Sequence, residues 1–140
     1  MNSNELRIGN LVYIPKTDQI AEISLIAQEF EKNAFIGVNK DVIGIGGLLL
    51  KDIEPIPLTE EWLLKFGFYK FRKNKFRIKI TTFAILEIDI EREDKLKCFI
   101  VKSDFFRDER IVFRIIKYVH QLQNLYFALI GEELEIKNNL

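Results

Sequence analysis

The sequence predicts an α+β protein: a small, bent antiparallel sheet, a short linking helix, and an antiparallel meander covered by a C-terminal helix. Three observations predict it. Short β-rich segments recur between turn residues over positions 6–56. A run of period-two segments follows over 68–116, and a single long stripe of 3.6-residue period closes the chain. The 140 residues are 48% hydrophobic and 30% charged, and twelve of them are Phe. A chain of this make-up buries a core without disulfides or metals.

Taken in order, Asn10-Leu11-Val12-Tyr13-Ile14 is β-rich, follows the Ile8-Gly9 turn and ends at Pro15-Lys16-Thr17-Asp18. Further strands are expected over 19–26, 34–38 and 48–56, the last stopped by Pro55 and Pro57. Lys40-Asp41 and Gly44-Ile45-Gly46-Gly47 read as turns. Strands at this spacing fit a strongly bent sheet of the SH3-like barrel kind, as a subdomain over 1–57. Thr59 then caps a helix over 60–66, with Glu60 and Glu61 at its positive end, Gly67 past its stop and Trp62, Leu63 and Phe66 on one face. The second part, 58–140, reads as strands over 68–72, 75–81, 84–91, 96–102 and 111–116. A helix over 117–130 follows, ended by Gly131. Its stripe of Val119, Leu122, Leu125, Tyr126, Leu129 and Ile130 is expected on the sheet. Pro55-Ile56-Pro57 is too short and apolar for a flexible linker, so the two parts are expected to pack as one unit. Disorder is expected only at 1–4 and 137–140.

Function classes narrow by elimination. A formal net charge of zero argues against a protein that coats nucleic acid with its whole surface, and leaves room for a local patch. Cys98 is the single cysteine; it lies in an apolar strand pattern, where a buried, inert thiol is the default. The first residues lack a basic stretch leading into an apolar one, and the apolar run over 42–50 is far short of the roughly 20 residues of a spanning helix. These features predict a cytoplasmic protein without a membrane partner. His120 and Cys98 stand too far apart to begin a metal site, and no calcium-loop pattern occurs. Ser3, Ser24 and Ser103 sit in no strand-turn-helix elbow. The glycines at 44, 46 and 47 lack the Lys-Ser/Thr of a phosphate loop and precede a strand pattern, so a bulged turn is expected there. The chain is therefore expected to be no enzyme and to need no cofactor.

Two surfaces remain. Over 69–80, period-two alternation puts Lys70, Arg72, Lys75, Arg77 and Lys79 on one face, with Tyr69, Phe71, Phe76, Ile78 and Ile80 on the other. Such a face suits a phosphate backbone. The competing expectation is a charge ladder, in which Glu87, Asp89 and Glu91 of the next strand neutralise it. In the last helix, Phe127 falls outside the apolar stripe, beside His120 and Asn124. An aromatic rimmed by polar groups suits a protein partner; the competing expectation packs it under the 103–109 loop, with Phe105 and Phe106.

Three segments carry a resemblance: Glu5-Leu6-Arg7-Ile8-Gly9-Asn10; Ile56-Pro57-Leu58-Thr59-Glu60-Glu61-Trp62-Leu63-Leu64-Lys65-Phe66-Gly67-Phe68; and Tyr118-Val119-His120-Gln121-Leu122-Gln123-Asn124-Leu125-Tyr126-Phe127-Ala128-Leu129-Ile130-Gly131-Glu132-Glu133-Leu134. Together they resemble a family of short uncharacterised proteins encoded by phages and mobile elements of anaerobic gut bacteria. Members often carry Thr where Ile130 stands here, and the middle of the chain matches only in pattern. The resemblance implies a cytoplasmic, mobile-element-borne protein and brings no activity, ligand or catalytic residue. The reading from sequence is a non-enzymatic protein-interaction module using His120, Asn124 and Phe127. Nucleic-acid binding through the cationic hairpin is the alternative, and homodimerisation through the last helix stays open.

Overall fold

Alternating burial marks the first strands. Val12 and Ile14 of β1 (Leu11–Ile14) are buried, and so are Ala21 and Ile23 of β2 (Gln19–Gln28) and Ala34 and Ile36 of β3 (Ala34–Val38). The computed structural model describes residues 1–28, 34–39, 48–103 and 108–137. Two compact units emerge: Met1–Ile56 with Tyr118–Asn124, and Pro57–Lys117 with Leu125–Leu140. The boundary falls one residue before the expected one, and Tyr118–Asn124 belongs with the first unit instead of the second. The expected turns at Lys40-Asp41 and Gly44–Gly47, the residues Phe105 and Phe106, and the end of the chain past Lys137 lie outside the described residues.

In the first unit β1, β2, β3 and β4 (Leu48–Leu49) pair antiparallel in that order. The strand expected over 48–56 is corrected. Only Leu48 and Leu49 pair with β3, because the chain then tightens into a 3-10 turn, Leu50–Asp52. The Asp52 carboxylate accepts the Leu49 N–H at 2.8 Å and holds that turn. Beyond it, Glu54 and Tyr13 exchange backbone hydrogen bonds of 2.8 and 2.9 Å. The chain thus returns to β1, and the sheet is a half-barrel. Its core is Leu6, Val12, Ile14, Ala21, Ile23, Ala34, Ile36 and Ile53.

In the second unit the Thr59 hydroxyl accepts the Trp62 N–H at the start of α1 (Glu60–Lys65). Gly67, at φ 88°, stops it: Gly67 N–H returns to Leu64 and Phe68 N–H to Leu63, both at 3.0 Å. The meander follows as expected: β5 (Tyr69–Arg72), β6 (Lys75–Thr81), β7 (Ala84–Arg92), β8 (Lys95–Ser103) and β9 (Asp108–Ile116), paired in sequence order. Phe76, Ile88 and Cys98 lie level across β6, β7 and β8, and all are fully buried. The last helix, α2 (Val119–Ile130), ends at Gly131, at φ 79°. No helix among the described residues is long and apolar enough to cross a membrane.

Candidate functional site: the charged face of the meander and the last helix

Strand register decides what the cationic hairpin presents. Tyr69 pairs with Arg77 and Lys70 with Phe76; the register then shifts, and Arg72 pairs with Lys75. Partners across an antiparallel ladder share a face, and a one-residue slip exchanges faces. The expected arrangement of Lys70, Arg72, Lys75, Arg77 and Lys79 on one side is therefore corrected. Tyr69 stands on the Arg77 side. Lys70 goes to the Phe76 side, with its ammonium 6.0 Å from that ring centre and 3.4 Å from the Glu60 carboxylate. Tyr69 and Phe71, expected inside, are exposed.

On the other side the charge ladder is present. Lys75 pairs with Asp89, at 3.2 Å between side chains, and Arg77 with Glu87, at 2.8 Å. Lys79 lies across from Ile85 instead, and Glu91 turns to Lys95 and Lys97. A further residue closes the cluster. Arg110 of β9 donates to Glu87 and, at 3.0 Å, to Asp89. Each guanidinium covers an aromatic ring: Arg77 lies 3.6 Å from the centre of Phe71, and Arg110 lies 4.1 Å from that of Phe99. Beneath them Glu87 is only 1% exposed.

Burial pushes the Glu87 carboxyl up, but hydrogen bonds from Arg77, Asp89 and Arg110 outweigh it and hold it below the usual range. Burial and the neighbouring Glu87 raise Asp89, against the pull of Lys75. This is a structural ion-pair network in which one oxygen, Asp89 Oδ1, is buried without a hydrogen-bond partner. Among the described residues, Arg72 and Lys79 are the cations of the predicted patch left without an ion pair. Arg110 escaped the sequence reading because its strand was expected to begin at 111. Alternation alone would not have placed it, because the register shift between Cys98 and Phe99 puts Arg110 on the face opposite Arg114 and Ile116.

The helical candidate is also rearranged. His120 is fully buried, and neither ring nitrogen has a hydrogen-bond partner. The Glu5 carboxylate stops 3.9 Å from Nε2, and Tyr118 stacks on the ring at 5.8 Å. Asn124 is occupied by the N-terminal segment. Its oxygen accepts from Asn10 at 2.8 Å and Arg7 at 3.3 Å, and its amide donates to the Glu5 carbonyl at 2.8 Å. Neither residue therefore offers a docking group, while Phe127 remains partly exposed. The polar stripe of His120, Gln123 and Asn124 follows helical spacing, but it faces inward.

Burial lowers the His120 pKa, opposing the pull of Glu5 and aided by the N-terminal ammonium. The unfolded chain then binds the proton more readily than the folded one. Stability is full above the ordinary imidazole pKa and falls as pH drops toward the lowered value. Urea midpoints measured at about pH 7.5 and about pH 5.5 should differ more for the parent than for His120→Leu, the window being set by the ordinary imidazole pKa. Equal shifts in both chains would show that His120 does not carry the effect.

Comparison with protein-family models, with curated proteins and with solved structures returned no match. Burial pushes the Cys98 thiol up to about 12, against the pull of Arg114, so it stays protonated at neutral pH. No group of His, Cys, Asp and Glu among the described residues is placed to hold a metal ion.

One further surface was not anticipated. On β9, Ile111, Val112 and Ile115 are exposed, Val112 at 63%. The run Ile111-Val112-Phe113-Arg114-Ile115-Ile116 is apolar on both faces, a pattern that usually marks a buried central strand. Among the described residues the strand pairs only with β8 and ends the sheet.

Proposed function

We propose that this chain is a non-enzymatic protein-interaction module, cytoplasmic and borne by a phage or mobile element, which captures its partner through β9. The observation that carries the reading is the exposed apolar trio Ile111, Val112 and Ile115 on a terminal strand of the sheet. Long apolar edges invite strand pairing, and proteins that do not use them usually protect them. The test is a tagged pull-down from nuclease-treated lysate of the source cell, comparing the parent with Val112→Lys and Phe127→Ala. Val112→Lys should lose the partner while its thermal midpoint stays that of the parent, since the side chain is mostly in water. Undiminished capture by Val112→Lys, with loss in Phe127→Ala, would move the docking surface to α2.

A second reading, nucleic-acid binding at the hairpin, is favoured by one observation: Tyr69 and Phe71 stand exposed, with the Arg72 guanidinium 5.1 Å from the Phe71 ring centre. Stacking on bases needs aromatics on the outside. Against it, Lys75 and Arg77 are already neutralised. It requires a partner that vanishes with nuclease and an affinity that falls steeply with salt.

A further inference from the structure

We infer that β9 accepts an extended peptide strand in which apolar and acidic residues alternate, added along its outer edge. The inference rests on β9 as the docking strand and names the chemistry of what docks. Among the described residues no strand occupies the outer side of β9, so its backbone offers a template for strand addition. The opposite edge of the sheet is less inviting. β5 has four residues, two of them the cations Lys70 and Arg72, whereas β9 has nine.

Register says which side chains a docked strand meets. Arg110, Val112 and Ile115 lie level with Val101, Phe99 and Lys97; Ile111 and Arg114 lie level with Ile100 and Cys98, on the other face. On the first face Val112 and Ile115 are open apolar surface, while the Arg110 guanidinium is held by Glu87 and Asp89. On the second face Arg114 is exposed, and no ion pair engages it among the described residues. Acidic residues are confined to the start of the strand, Asp108 and Glu109. From Arg110 through Arg114 to Lys117 every charged residue is a cation.

A strand that sets apolar side chains against Val112 and Ile115 must set its alternate residues on the Arg114 face. A carboxylate is favoured there, and an ammonium is not. A second copy of β9 fits less well. Paired antiparallel about Val112, it offers Arg114 no carboxylate, since Asp108 and Glu109 lie at the far end of the strand.

The test is a fluorescence-anisotropy titration of the full chain with a short labelled peptide of alternating valine and glutamate. A valine–lysine counterpart and a single-stranded oligonucleotide are run in parallel. The glutamate peptide should bind at least about tenfold more tightly than the lysine peptide. Arg114→Gln should abolish that preference and Arg114→Glu should reverse it, and Val112→Lys should weaken both peptides. Three results would overturn the inference: no binding of the glutamate peptide, oligonucleotide binding that displaces it, or self-association that Val112→Lys abolishes. Equal binding of both peptides, lost in Val112→Lys, would also overturn the acidic preference but leave the interaction-module reading standing. That reading fails separately, if Val112→Lys captures the cellular partner as the parent does.

Discussion

Replacing Glu87 by Ala should lower the free energy of unfolding by about 3–4 kcal/mol, the largest loss expected of a single polar substitution in the meander. The reason is what remains behind. Glu87 is buried at the centre of the charged face and accepts from both Arg77 and Arg110. Without it two guanidiniums face one another. Arg110 is 39% exposed and keeps Asp89 as a partner, so water and that carboxylate absorb part of its loss. Arg77, at 12%, has no such escape. The double variant Glu87→Met with Arg77→Met should recover part of the loss, because apolar groups of similar volume then replace both charges. Urea unfolding at neutral pH reads both variants, and a loss below about 1 kcal/mol for Glu87→Ala would place the pair in the class of surface ion pairs.

The pH dependence of the same cluster carries two opposite signs. Asp89 is raised, so the folded state takes up its proton first and gains stability as pH falls through that raised value toward the ordinary one. Glu87 is lowered, so its contribution is complete above the ordinary carboxylate range and is lost as pH falls through its depressed value. Acid titration should therefore show a shallow rise before the collapse, and Asp89→Asn should remove the rise.

Much of the fold was legible because local chemistry and tertiary context agree. Thr59, Gly67 and Gly131 punctuate the helices as their side chains and φ angles require, and period two marks β6 and β7 at the centre of the charged face. The failures have specific causes. A strand over 48–56 satisfies periodicity, but the Asp52 side chain captures a backbone N–H and turns the chain. The hairpin faces were exchanged by a register shift between Lys70 and Arg72, which alternation within one strand cannot reveal. In α2 the apolar stripe was visible, but polar residues were taken to face water. Nothing local distinguishes an exposed asparagine from one that meets Asn10 across more than a hundred residues of chain. Finally, β9 looks like a buried strand in sequence, and only its place at the end of the sheet exposes it.

Replacing Gln123 by Leu should cost about 2–3 kcal/mol, because it removes the side-chain partner of two part-buried backbone groups. Gln123 is 3% exposed. Its oxygen accepts the Leu11 N–H at 2.8 Å, and its amide donates to the Gly9 carbonyl at 3.1 Å. These groups flank Asn10, itself fully buried, whose side chain accepts the Arg7 N–H at 2.7 Å and donates to Asn124. The helix segment Tyr118–Asn124 thus supplies the hydrogen bonds that a neighbouring strand would supply to this stretch of the chain entering β1. Leucine fills similar space and keeps the helix, so lost hydrogen bonding is separated from lost packing. Hydrogen exchange gives the sharper reading: the Leu11 amide should exchange much faster in Gln123→Leu, while amides in β7 and β8 keep their protection. An unchanged Leu11 rate would mean that another acceptor replaces the side chain, and the segment would then be held by its apolar contacts alone.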